Sequence, residues 1–102
     1  MNAPNYRREG ATVNFAVTVN LLDAPAARQV KEKLLDLPLD GVSRVVIDLG
    51  AVEFIDSSGV GALLALCKRL PAGAAVQLTH VQAEVRAVLE LLRLHRVFEI
   101  SL

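Results

Sequence analysis

Between Thr12 and Asn20 the apolar side chains Val13, Phe15, Val17 and Val19 alternate with Asn14, Ala16, Thr18 and Asn20. A two-residue period predicts a half-buried strand, because successive side chains of an extended chain point to opposite faces. Glu9-Gly10-Ala11 has turn composition and suggests an opening hairpin, with a short strand around Tyr6 to Arg8. Asp23, two residues before Pro25, marks a helix start. A carboxylate there accepts an unpaired first-turn amide, and an early proline has no amide to lose. The helix is expected to reach about Leu37, with Ala27, Val30, Leu34 and Leu37 facing inward, and to stop at Pro38.

Arg44-Val45-Val46-Ile47-Asp48-Leu49 is rich in β-branched residues and predicts a central strand covered on both sides. After Asp56 the spacing of Val60, Leu63, Leu64, Cys67 and Leu70 predicts a second helix, ended by Pro71 and Gly73. A strand over Ala75 to Leu78, a helix with the stripe Val81, Val85, Val88, Leu89 and Leu92, and a short strand Val97 to Ile100 complete the chain. Strands that alternate with helices need parallel crossovers. The expectation is therefore one α/β domain over residues 1–102, with a mixed, mostly parallel sheet, an N-terminal hairpin and packed helices.

Composition narrows the chemistry. At 102 residues with 53% apolar but 4% aromatic side chains, the core must be built of Val, Leu, Ile and Ala. Eleven basic residues balance 11 acidic ones, so no net field attracts nucleic acid or an anionic membrane. Cys67 stands alone, which excludes an internal disulfide and a cysteine-rich metal site and fits a reducing compartment; it is read as a buried thiol. The first eight residues have no signal-peptide stretch, and no window approaches the ~20 apolar residues of a membrane span. A cytoplasmic protein without direct membrane insertion, cofactor or metal is expected.

The segment Val52 to Gly61 leaves the central strand and enters the second helix, in the position where open α/β sheets gather functional groups. If the strand before Asp23 is a parallel neighbour of the central strand, then Asp23, Asp56, Ser57 and Ser58 converge. Serine is a preferred helix cap, so one of the two hydroxyls is expected to take that role. At 100° per residue, Ser58, Ala62, Ala65 and Arg69 fall away from the predicted core stripe, flanked by Gly61 and Leu66. Together with Gly59 they suggest a flat, small-residue docking surface.

Val45-Val46-Ile47-Asp48-Leu49, then Phe54-Ile55-Asp56-Ser57-Ser58-Gly59-Val60-Gly61 and Leu63-Leu64, resemble the STAS family, in particular bacterial anti-sigma factor antagonists. Asp23 matches the Asp of that family's Gly-Glu-(Leu/Ile)-Asp motif, and Leu89-Glu90-Leu91 with Val97 to Ile100 matches its C-terminal helix and strand. The resemblance implies a partner-switching protein with no enzymatic activity of its own. It implies phosphorylation at Ser57, while local chemistry alone permits Ser58. The implied partners are a serine kinase of histidine-kinase-like fold, usually itself the anti-sigma factor, and a metal-dependent serine phosphatase. Asp23, Asp56, Ser58, Gly59, Ala62, Leu66 and Arg69 are then candidates for partner contact. A phosphoryl group at the helix start is expected to meet free amide protons.

Two positions depart from the family pattern. Asn20-Leu21 replaces its Gly-Glu pair, and Arg93 stands where it usually has a helix-ending glycine. A left-handed non-glycine costs roughly 1 kcal/mol, so the third helix is expected to end differently. Among other readings, a serine hydrolase lacks the Gly-x-Ser-x-Gly elbow, with His80 and His95 as the possible bases. Gly59-Val60-Gly61 lacks the third glycine of a dinucleotide site and the Lys of a P-loop. The remaining alternative is an unswitched STAS regulatory subunit of a membrane transporter complex.

Overall fold

The computed structural model describes residues 6–102; residues 1–5, part of the stretch read as lacking a signal peptide, lie outside the described residues. Strands β1 (Tyr6–Glu9) and β2 (Thr12–Ala16) form the hairpin, antiparallel and closed by the pair Glu9 and Thr12. Its tight turn holds Gly10 at φ +60°, a conformation that matches strand twist and that side chains resist. β2 continues the sheet through β4 (Arg44–Asp48), β6 (Ala75–Thr79) and β7 (Glu99–Ile100), all parallel, in the order β1-β2-β4-β6-β7.

The run predicted as one strand to Asn20 breaks after Ala16. The chain resumes as β3 (Leu21–Leu22), which leaves the main sheet and pairs in parallel with β5 (Phe54–Ile55). Helices α1 (Ala24–Leu35), α2 (Ser57–Arg69) and α3 (Ala83–Leu91) complete the fold, with α1 packed along α2. α1 buries Ala27, Val30 and Leu34, as its spacing requires, and Leu37 beyond its end is buried too.

One face of the sheet carries the core. Val13 and Phe15, Val45 and Ile47, and Val76 and Leu78 are buried in a single cluster with the apolar faces of the helices. The alternate positions, including Asn14, Val46 and Gln77, are half-buried. β4 is therefore covered on one side, against the expectation of two. The run misleads because Val46 is the lone apolar side chain on a face otherwise made of Arg44 and Asp48. On that face Arg44 Nη1 donates to Gln77 Oε1 and to Glu99 Oε1, both at 3.1 Å, tying β4 to β6 and β7. Arg8 does similar work at the hairpin, donating to the carbonyls of Gly10, Pro38 and Asp40 and so fixing the loop after α1.

Cys67 is half-buried, less than expected, and burial pushes its thiol pKa up. In α3, Val85 and Leu89 are buried, whereas Leu92 beyond its end is 51% exposed and leaves the predicted stripe. Arg93 then adopts φ 59°, ψ 30°, the left-handed conformation it was expected to avoid. The reversal leads into a 3-10 turn (Leu94–Arg96) that returns Leu94 and Phe98 to the core and pairs Glu99 with Gln77. Burying two such side chains is worth about 1.5–3 kcal/mol each, more than the ~1–2 kcal/mol of a left-handed residue. Arg93→Gly should remove that strain. We expect it to raise stability by roughly 0.5–1 kcal/mol, a melting-temperature gain of a few degrees; an unchanged or lower value would show that the arginine is not strained there.

Candidate functional site

β3 and β5 each run directly into a helix. Leu22 pairs with Ile55, so the residues that follow, Asp23 and Asp56, stand side by side as the N-caps of α1 and α2. Both have extended backbones, and both turn a carboxylate onto their own helix. Asp56 Oδ1 accepts from Ser58 N at 2.9 Å and Gly59 N at 3.1 Å. Asp23 Oδ1 accepts from Ala26 N at 3.4 Å, a long bond that leaves this carboxylate the less committed of the two.

These caps change the expected roles of the serines. Neither Ser57 nor Ser58 caps α2, because Asp56 already does; they are its first two residues, both exposed. Among the described residues neither hydroxyl has a hydrogen-bond partner. Two of the amides expected to receive a phosphoryl group are taken, since Asp56 holds those of Ser58 and Gly59. A group added at Ser57 therefore shares the turn with a carboxylate that already holds two of its N–H donors.

Gly59 is buried, not part of an outer surface. A Cβ there would lie 2.6 Å from Leu22 O, 2.7 Å from Ile55 Cγ1 and 2.8 Å from Leu22 Cγ. The bare backbone lets the first turn of α2 sit directly on β3 and β5, which fixes the height of Ser57 above them.

The docking surface expected at Ser58, Ala62, Leu66 and Arg69 is displaced by one residue. Ala62 and Leu66 are 2% and 0% exposed, on the side of α2 that runs from Gly59 to Arg69 and packs on α1. Arg69 stays exposed, but its Nη1 donates to Leu34 O at 3.2 Å and closes the end of α1. The outward line of α2 begins at Ser57 and continues through exposed Gly61, half-buried Leu64 and Ala65, and exposed Lys68. Two further exposed apolar residues, Leu21 and Phe54, escaped the sequence reading. Their signal was the two-residue period: in Leu21-Leu22 and Phe54-Ile55 one member of each pair must face out.

Neither histidine hydrogen-bonds a serine hydroxyl among the described residues. His80 Nδ1 lies 3.3 Å from Asp48 Oδ1, and His95 is exposed on the 3-10 turn. Among these residues no group of three or more His, Cys, Asp and Glu could hold a metal ion, and no helix is long and apolar enough to cross a membrane.

The caps and the close approach can be separated by mutation. Asp56→Ala should destabilise by about 1 kcal/mol, lowering the melting temperature by roughly 4–8 °C, while Asp56→Asn, still a good cap, should stay near wild type. Gly59→Ala should cost more, roughly 1–3 kcal/mol, because a backbone oxygen stands in the way. Chemical denaturation of the three variants checks the order; an Asp56→Ala protein as stable as wild type would deny the cap.

A family model described as STAS domain matches residues 5–102. No curated protein matches the chain significantly. Among solved structures, an anti-sigma factor antagonist from Mycobacterium paratuberculosis superposes with a TM-score of 0.81 at 22% identity, covering 99% of this chain and 90% of that one. An anti-sigma-factor antagonist (STAS) domain protein from Planctomyces limnophilus gives 0.72 at 20% identity, covering 93% and 85%. The Bacillus cell fate determinant SpoIIAA in its phosphorylated form gives 0.68 at 23% identity, covering 95% and 89%. With nearly every residue inside the family match and the same arrangement of strands and helices, this chain belongs to the STAS domain family.

Proposed function

We propose that this chain is a cytoplasmic partner-switching protein of the anti-sigma factor antagonist kind, which binds a serine kinase when unmodified and is released when Ser57 is phosphorylated. The observation that carries the reading is the state of Ser57. Its hydroxyl is exposed at the start of a rigidly seated helix, free of the capping bond that Asp56 makes instead. A neighbour in fold, SpoIIAA from Bacillus, is known in a phosphorylated form, which supports the same chemistry here.

In the proposed step Ser57 Oγ attacks the γ-phosphorus of ATP held by the kinase. The new O–P bond replaces the bond to ADP, and the hydroxyl proton passes to a base of the kinase. Asp23 and Asp56 border the hydroxyl and help the kinase engage it; neither acts as a catalytic group. A metal-dependent serine phosphatase reverses the modification.

Release follows from charge. A phosphoryl group adds about −1.5 to −2 at neutral pH, beside two carboxylates and at a turn where two amides are already bonded. A partner covering this point must desolvate that added charge, and each 1.4 kcal/mol of extra cost weakens binding about tenfold. The helix itself loses no bond, so the fold is retained.

Incubation with the source organism's serine kinases of histidine-kinase-like fold and ATP should label the tryptic peptide Val45–Lys68, whose only hydroxyl residues are Ser57 and Ser58. Label should disappear in Ser57→Ala and persist in Ser58→Ala; the reverse pattern would move the acceptor to Ser58. Titration of the labelling kinase should show at least about tenfold weaker binding for Ser57→Asp, with circular dichroism and melting temperature near wild type. Equal affinity of phosphorylated and unmodified protein would overturn the switch.

A further inference from the structure

We propose that Leu21 and Phe54 form the apolar anchor on which the kinase partner docks, and that this pair sets partner choice; the inference rests on the switch reading above. The two residues are direct register partners in the parallel β3–β5 pair. Their neighbours Leu22 and Ile55 point into the core and are 0% and 3% exposed, so the pleat turns Leu21 and Phe54 outward together. They are 54% and 49% exposed. Adjacent strands lie about 4.8 Å apart, so the two side chains make one continuous apolar spot.

Its location ties it to the switch. Phe54 precedes Ser57 by three residues and Leu21 precedes Asp23 by two, which at ~3.3 Å per residue keeps the spot within about 10 Å of the phosphoacceptor. A standard interface covers about 800 Å² on each partner, a patch roughly 32 Å across if circular, so a kinase seated over Ser57 also reaches the pair. Neither residue contributes to the core, and the pair is rigid because β3 and β5 are held by the seat of α2 beneath them. Aromatic side chains such as Phe54 are enriched at the centres of interfaces, where charged groups are depleted, and polar groups form the rim.

The chain segments that carry the pair are acidic. Asp23, Glu53 and Asp56 flank the pair along the chain, and residues 20–24 and 52–58 contain no Lys or Arg. The complementary partner surface is an apolar pocket or patch edged by basic side chains. Leu21 stands where the family motif has an acidic residue, so a partner fitted to an acidic group there would lose that contact and face an apolar one. Discrimination of this kind works against wrong partners as well as for the right one.

The test uses the kinase that labels Ser57 and compares wild type with Leu21→Ser, Phe54→Ala and Leu21→Glu. Because these side chains are exposed, melting temperatures should stay within a few degrees of wild type, which removes unfolding as an explanation. Each variant should raise the KM for phosphorylation, and the Kd of the complex, by about tenfold or more, with kcat within about twofold. Leu21→Glu should weaken binding like the others; tighter binding would mean a basic contact at that point and would overturn the apolar anchor. Unchanged KM and Kd in Leu21→Ser and Phe54→Ala, with Ser57 still labelled, would also overturn it while leaving the switch intact. If no kinase labels Ser57, the switch reading falls and the anchor falls with it.

Discussion

Two short strands pair so that Leu22 O and the side chain of Ile55 form a floor on which Gly59 lies with no room for a Cβ. The geometry of the site follows from that contact. It sets the height and direction of α2, puts Asp56 beside Asp23, and leaves Ser57 as the first residue above the floor. Because the floor is made partly of backbone oxygen, it cannot yield as a flexible side chain would. A separate two-stranded pairing does this positioning, while the larger sheet supplies the core against which the helices are held.

The caps give the polar work at the helix starts to carboxylates and leave the serines out of it. Asp56 satisfies two amides at once, so α2 starts firmly without calling on a serine. Ser57 is then held in place by the helix yet chemically uncommitted, and negative charge is already concentrated beside it. Adding a phosphoryl group raises the local charge without removing any bond of the fold. Such a change would be felt by whatever covers the site, which is the sense in which the proposed switch acts on association and not on folding.

Surface is distributed unequally over the molecule. On α2 the apolar residues form a wide band, because one side meets the sheet core and another meets α1; what remains outside is the line from Ser57 to Lys68. On the sheet the reverse holds, with one face buried and the other a half-exposed lattice of Arg44, Gln77 and Glu99. The C-terminal reversal at Arg93 shows the same competition decided by burial, since the return of Leu94 and Phe98 to the core outweighs a strained backbone.

Much of this was legible from one sequence. Alternation over Val13 to Val17 and the 3.6-residue spacing from Ala27 to Leu34 depend on local geometry, and they specified a strand and a helix face correctly. The Asp23 cap beside an early proline, and the tight turn at Gly10, are equally local. What the sequence could not supply was the outcome of contacts between distant segments. Ala62 and Leu66 look like a small-residue outer face until α1 covers them, and Val46 looks like core until no helix is placed over it. Either Asp56 or a serine could cap α2 by local chemistry, and the packing of Gly59 on Leu22 decided where the turn begins. Periodicity says which residues share a face; only the tertiary arrangement says what, if anything, lies against it, because burial is a property of two surfaces and a single segment carries one of them.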